Sequence, residues 1–311
     1  MKASLRTTKG LGPDEARRSS SRQNTTMADT ADRPNDDPPN TPNLPTGSLI
    51  ELTHERADKL RRLNLLAAAL HAVSGTLMIV LGDRAFRLGV TVFNLNGPPG
   101  TDVSEGSLDQ LFGVPLALAT AAFMWLSAIF HLLVATVKQN AYLTELRAGR
   151  NRYRWVEYSM SATLMMVLIA LVSNVTDVAA LIGIAFANVS MIFFGWLMEM
   201  TNDSTSDPKR RWWTPFSFGC IAGVGPWLAI IVAISGGQSI DGAESPPSFV
   251  YGILVTIFLL FNCFAIVQWL QYRGSGRWAD YVRGEVAYIV LSFVAKSALA
   301  WQIFANTLIP T

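Results

Sequence analysis

Ala287-Tyr-Ile-Val-Leu-Ser-Phe-Val-Ala-Lys-Ser-Ala-Leu-Ala-Trp301 is an apolar stretch with a single charge, Lys296, and no other charged residue lies between Glu285 and the C-terminus. It is the middle of a longer apolar run, 284–308, whose length and hydrophobicity are those of a membrane span. An ammonium near the middle of a bilayer costs about 3 kcal/mol on insertion scales, so a lysine kept there is paired or chemically neutralised. Two routes to neutrality exist: deprotonation in a dry site, or condensation with a carbonyl ligand.

The composition agrees with a membrane protein. Of 311 residues, 50% are hydrophobic and only 15% charged, well below the roughly 25% of soluble domains. Seven apolar stretches are each long enough to cross ~30 Å of hydrocarbon: 60–81, 110–137, 153–174, 178–199, 212–235, 248–271 and 284–308. The first 58 residues differ in kind, with runs such as Asn35-Asp-Asp-Pro-Pro-Asn-Thr-Pro-Asn-Leu-Pro45 and eight Lys/Arg against nine Asp/Glu. Such a segment buries too little apolar area to order itself and has no signal-peptide core, so 1–58 is expected to be a disordered tail ahead of a membrane domain over 59–311. Cys220 and Cys263 fall inside spans, where they act as small apolar side chains; no disulfide, metal site or nucleic-acid partner is expected.

Charge beside the spans sets the orientation. One side carries fourteen Lys/Arg, from Lys59 and Arg61 through Arg154 and Arg211 to Arg283, and the other only Arg84 and Arg87. The fold class that follows is an all-α membrane protein, a seven-transmembrane helix bundle with its N-terminus cytoplasmic and its C-terminus extracellular. It is a multi-pass protein of the cell membrane whose surface partner is the lipid bilayer. In the outer loop 82–108, Leu88-Gly-Val-Thr-Val-Phe-Asn-Leu95 is β-rich and Asn96-Gly-Pro-Pro-Gly100 is turn chemistry, so a short β-hairpin is expected there.

Among the 23 acidic residues, Glu157 alone lies well inside a span; Asp109, Glu199 and Glu285 stand at span ends, where water or headgroups are expected to solvate them. Glu157 and Lys296 lie on the third and seventh spans, which run in the same direction, with heights differing by roughly 5–10 Å at 1.5 Å per residue. Helical side chains lean toward the N-terminus, so Lys296 reaches down toward Glu157. A lysine and a carboxylate so placed suit a protonated Schiff base with its counterion, which points to a retinal-type chromophore. His71 and His131 also fall in spans, and Ser127, Ser161 and Ser292 stand four residues from His131, Glu157 and Lys296. Together they suggest a polar pocket, although serines that bond to helix carbonyls and histidines that join helices account for each one singly. Trp227 follows Pro226 and Trp301 is near the outer end of the last span; such rings can sandwich a polyene, but Trp125, Trp155 and Trp196 read as interfacial belt residues. Gly219-Cys-Ile-Ala-Gly223 reads as close helix packing.

Several strings together resemble the heliorhodopsin family over residues from about 60 to 310. They are Arg154-Trp-Val-Glu-Tyr-Ser159, Phe194-Gly-Trp196, Phe218-Gly-Cys-Ile-Ala-Gly223 with Pro226-Trp227, Phe249-Val-Tyr-Gly252, Gln268-Trp-Leu-Gln-Tyr272, Arg283-Gly-Glu285, Ser292-Phe-Val-Ala-Lys-Ser-Ala-Leu-Ala-Trp-Gln302 and the loop Leu95-Asn-Gly-Pro-Pro-Gly-Thr101. The resemblance implies all-trans-retinal on Lys296, Glu157 as counterion, and a polar cavity with His71, His131, Ser127 and Ser292. It places Tyr158, Ser161, Asn188, Met191, Gly195, Trp227, Phe261, Gln268 and Trp301 at or near the chromophore, and it implies a homodimer. Ser217 departs from the family's pattern, in which a Trp is expected, so the ring end of the pocket is expected to be roomier or more polar.

Light-driven proton pumps of the ordinary microbial kind use a second carboxylate eleven residues after the first; here that residue is Leu168. A photosensor reading follows: a non-enzymatic photoreceptor with a slow photocycle, His71 or His131 as proton acceptor, and an unidentified cytoplasmic signalling partner. A light-gated proton channel or transporter needs a continuous polar line, against which Leu164-Met-Met-Val-Leu-Ile-Ala-Leu171 stands. An enzyme or transporter using Lys296 as a base, without retinal, would be colourless. The orientation has its own test. In a background with Cys220 and Cys263 replaced, a cysteine at Gly100 should react with an impermeant thiol reagent on intact cells, and one at Arg277 only after lysis.

Overall fold

The computed structural model describes residues 49–202, 208–237 and 247–308, all within one unit that begins at Thr46. The tail expected over 1–58 lies largely outside the described residues. Its last part does not: α1 starts at His54, with the Thr53 hydroxyl accepting from the Arg56 N–H as a cap.

Hydrocarbon offers no partners to a free N–H or C=O, so apolar runs in a bilayer become helices. The spans α1 (His54–Leu81), α2 (Leu116–Ala135), α4 (Arg152–Val172), α5 (Val178–Thr201), α6 (Thr214–Gly237), α7 (Ser248–Arg273) and α8 (Tyr281–Ile303) are seven helices long and apolar enough to cross a membrane. A short helix, α3 (Gln139–Arg147), was not expected. It packs Tyr142 and Leu146 into the bundle between α2 and α4. The helices end where the chain can turn: Gly274 closes α7 in the left-handed conformation, the usual role of glycine past a C-terminus. Asn174, with φ 67°, makes the tight turn from α4 toward α5.

The hairpin is longer than its sequence suggested. β1 (Arg87–Asn94) pairs antiparallel with β2 (Ser107–Pro115), with an irregularity between Val90 and Thr91. Residues 110–115, expected to open the second span, are therefore strand, and α2 begins only after Pro115. Pro115 has no N–H to give to a helix, so it suits the junction. Thr91 fixes the hairpin to the α4–α5 turn: its N–H donates to the Thr176 carbonyl at 2.9 Å, and the two hydroxyls meet at 3.0 Å.

Inside the bundle two apolar clusters flank a polar layer. The cluster toward the hairpin holds Phe123, Met165, Leu168, Ile169, Ile230, Ile257 and Leu299. The cluster toward the Lys/Arg-rich end, called here the basic end, holds Leu60, Ala67, Val134, Tyr142, Leu146, Tyr281 and Ile289. α5 and α6 approach closely at the Gly219 and Gly223 positions, where an added Cβ would stand 3.3 Å from Phe194 Cβ and 2.6 Å from Met191 Sδ.

Glu199 and Glu285 are not solvated as expected: each is 2% exposed. Both pair with Arg154, whose Nη2 donates to Glu199 Oε1 at 2.8 Å and Nη1 to Glu285 Oε2 at 2.6 Å. Asn151, the N-cap of α4, donates from its N–H to Glu199 and from Nδ2 to Glu285, while Tyr281 and Tyr142 donate to Glu199 and Glu285. Trp155 is likewise no belt residue; it is buried and its indole N–H donates to Glu199. These side chains sit at the ends of apolar runs, where charge reads as interfacial; burial arises because the ends of α4, α5 and α8, with α3 beside them, converge on one guanidinium. Removing one partner of a buried ion pair costs about 3–5 kcal/mol. Arg154→Leu is therefore expected to lower the Tm in detergent markedly, and Arg154→Lys, which keeps the charge but loses the planar fork, by less. An unchanged Tm in Arg154→Leu would show that the cluster does not hold the helices.

Candidate functional site

The polar layer is centred on two side chains from helices that run in the same direction. Lys296 on α8 and Glu157 on α4 are 3% and 4% exposed, and Lys296 Nζ donates to Glu157 Oε1 at 2.6 Å. Each is held by a serine. Ser292, one turn before Lys296, accepts from Nζ at 2.7 Å, and Ser127 of α2 donates to Glu157 Oε1 at 2.6 Å. Ser127 also donates to the Phe123 carbonyl at 3.1 Å, so the back-bonding reading applies to it in part. An ammonium has three N–H donors; two are directed to Glu157 and Ser292, and the Tyr158 ring centroid lies 5.1 Å from Nζ.

The histidines stand together within the same bundle. His71 and His131 stack at 5.6 Å with their planes 13° apart, and Phe293 meets His71 edge-on. His131 Nδ1 pairs with Asn64 Oδ1 at 2.7 Å, whereas His131 Nε2 and both nitrogens of His71 have no partner among the described residues. Ser161 is fully buried with its hydroxyl unpartnered.

Beyond the ammonium, an apolar slot runs between α4, α5, α7 and α8. Tyr158, Met191, Gly195, Phe261, Gln268 and Ser292 line it together with Lys296. So do Trp155, Met165, Phe264 and Tyr288, which sequence reasoning did not assign to it. The helical spacing of Trp155, Tyr158 and Met165 on α4 was the available signal, but an apolar stripe at that spacing reads equally as core. Gly195 is needed for closeness: a Cβ there would lie 2.6 Å from the Trp155 ring, and its carbonyl accepts from Gln268 Nε2 at 3.0 Å.

Other expected residues are elsewhere. Asn188 is buried beside the slot and donates to Thr163 Oγ1. Trp227 stands one layer behind, edge-on to Phe261 at 5.9 Å. Trp301 is 37% exposed and packs on Phe304, so it faces away from the slot. Ser217 is exposed, with its hydroxyl on the Trp213 carbonyl, and so does not enlarge or polarise the slot.

The slot has the chemistry of a narrow holder for a long apolar molecule, closed at one end by a primary amine with its counter-charge. A conjugated hydrocarbon aldehyde such as retinal suits it: the body meets aromatic and thioether side chains, and the Lys296 amine stands where an aldehyde carbon would be received.

The heliorhodopsin family model matches residues 60–308. No curated protein matches the sequence. Solved structures match in fold. A light-driven proton pump from Leptosphaeria maculans is 13% identical, with a TM-score of 0.55 over 83% of this chain and 98% of its own. Xanthorhodopsin, a light-driven ion pump with a dual chromophore, is also 13% identical, with a TM-score of 0.56 over 83% and 95%. The transmembrane domain and linker of Salpingoeca rosetta rhodopsin phosphodiesterase is 17% identical, with a TM-score of 0.55 over 83% and 76%. At these identities the likeness is one of fold alone.

The slot makes a steric prediction. Gly195→Leu should fill it against Trp155, so that added retinal gives at least several-fold less pigment while the protein still purifies as a folded monodisperse species. Full pigment yield in Gly195→Leu would place the ligand elsewhere.

Proposed function

The chain belongs to the heliorhodopsin family and is thus a retinal-binding, light-responsive membrane protein; from that premise we propose that it is a photosensor that pumps no ions and catalyses no reaction on a diffusible substrate. The observation that carries this reading is the 2.6 Å pair of Lys296 and Glu157 at the closed end of an apolar slot. In it, Lys296 is the attachment point, Glu157 the counterion, and Ser127 and Ser292 hold the two in register. All-trans-retinal, linked through its aldehyde carbon to Nζ, supplies absorption of visible light and a change of shape on excitation.

The protein's own part is electrostatic. Glu157 keeps a positive charge on Nζ in a layer that excludes bulk water, where opposite charges attract strongly. When a proton leaves Nζ, that attraction ends and the helices carrying the pair, α4 and α8, lose the bond that joins them. A two-state bundle is biased by such a change in proportion to the interaction lost. The unpartnered nitrogens of His71 and His131 are the nearby proton acceptors in this reading. The slow return that signalling needs follows if the proton has no short way out.

The apolar cluster toward the hairpin supports the absence of pumping. Leu168, eleven residues after Glu157, is fully buried with Met165, Ile169 and Phe123 around it, so the polar layer has no charged continuation on that side among the described residues. The proposal also places the basic end in the cytoplasm, with the C-terminus outside, because fourteen Lys/Arg border it against two opposite. A cytoplasmic partner would read the helix ends there. The family resemblance further supports a homodimer.

Absorption spectroscopy with all-trans-retinal tests the centre. Wild type should give a visible band and Lys296→Ala none. Removing the negative charge near Nζ favours spreading of the positive charge along the polyene, so Glu157→Gln, or acidification of wild type until Glu157 protonates, should shift the band to the red. A colourless wild type, or a band retained in Lys296→Ala, would sink the assignment.

A further inference from the structure

A small cavity of about 30 Å3, lined by both polar and apolar side chains, lies on the basic side of the Lys296–Glu157 pair. Glu157, His131 and Asn64 line one part of it, and Tyr142, Arg154 and Glu285 another. That volume has room for about two water molecules, and a cavity with several polar partners is where buried water resides. Three buried atoms of its lining residues have no partner among the described residues: His131 Nε2, Arg154 Nε and the Tyr288 hydroxyl. These are the partners that bridging water would take.

The charge balance makes this cavity more than packing. Among the described residues the buried cations are Lys296 and Arg154, against three buried carboxylates, Glu157, Glu199 and Glu285. Lys296 serves Glu157, which leaves one guanidinium for two carboxylates. Glu199 is saturated: Arg154 and Tyr281 donate to Oε1, and Asn151 and Trp155 to Oε2. Glu285 is not. Its Oε1 accepts from Tyr142 and Asn151, but its Oε2 only from Arg154, and a carboxylate oxygen can accept two bonds. Tyr142, on α3 outside the spans, has its phenol held well above the usual range by burial and then by the neighbouring Glu285 charge, so it remains a neutral donor. Besides Tyr142, the charged and titratable groups around Glu285 include Arg154, Glu199, Tyr158, Tyr281 and Tyr288.

We propose that Glu285 is the proton store of the photocycle, reached from Lys296 through water in this cavity. The inference rests on the photosensor reading above and extends it beyond the histidines. One proton leaves Nζ, a water in the cavity passes one on, and the open lone pair of Glu285 Oε2 receives one. The net result is a neutral nitrogen at Lys296, a neutral carboxyl at Glu285 and no proton released. A proton on Glu157 would remain 2.6 Å from Nζ and return at once, whereas on Glu285 it is held apart and cancels the surplus charge of the cluster. Arg154, one turn from Glu157 on α4 and lining the same cavity, then has Glu199 and Glu157 to neutralise. The arrangement gives a slow return without any path to the hairpin side.

Light-minus-dark infrared spectroscopy of the full chain with all-trans-retinal tests this. Wild type should show a carboxylic C=O band that rises as the visible band is replaced by a blue-shifted, deprotonated species. Glu285→Gln should lose that carboxylic band, and Glu285→Asp should move its frequency. Tyr142→Phe, which leaves all buried charges in place, should change its rate several-fold. A band unchanged in frequency in Glu285→Asp, or persisting in a coloured Glu285→Gln, would overturn the proposal and place the proton on Glu157 or elsewhere. Absence of any blue-shifted species in wild type would instead overturn the photosensor reading on which it rests. If Glu285→Gln gives no pigment, the frequency shift in Glu285→Asp decides alone.

Discussion

Hydrocarbon does not solvate charge, and the interior of this bundle is arranged around that constraint. An isolated buried ammonium or carboxylate is prohibitive, whereas a pair at hydrogen-bond distance is tolerated when its remaining donors and acceptors are also satisfied. Lys296 and Glu157 meet that condition at 2.6 Å, with Ser292 and Ser127 taking further bonds. The two helices bearing the pair, α4 and α8, must therefore stay in register, and the apolar cluster on the hairpin side keeps bulk water from that face of the pair.

The same rule explains the second charged group. Arg154, Glu199 and Glu285 lie one layer nearer the basic end and join α4, α5 and α8, with α3 attached through Tyr142. Here neutral donors, Asn151, Trp155 and Tyr281, make up for the missing cation. Polar groups thus occupy two adjacent levels of the bundle, linked by a small cavity, while the hairpin side is apolar.

Much of the fold was legible in the chain. Seven apolar runs, the lone Lys296 and the lone mid-span Glu157 led to a helical bundle and to a pair at a matching depth. Periodicity carried less at the edges. Residues 110–115 are apolar enough to extend a span, yet their cross-strand partners in Arg87–Val90 make them strand. The short helix Gln139–Arg147 was not expected, because its packing depends on Tyr142 finding Glu285, 143 residues away. Trp155 and Trp301 show the same limit in reverse: both stand near the end of a span, but only Trp155 faces a neighbouring helix across the slot.

The sequence by itself determined the class of structure and its central pair, because hydrophobic length and isolated charge act locally and need no knowledge of neighbours. The tertiary structure decided which polar groups are buried, which residues line the slot and which side of the pair is polar. Glu199 and Glu285 at span ends are as consistent with solvent as with burial until α4, α5 and α8 converge on Arg154. Those outcomes depend on the rotation and crossing of helices far apart in the chain, which packing fixes and residue order does not express.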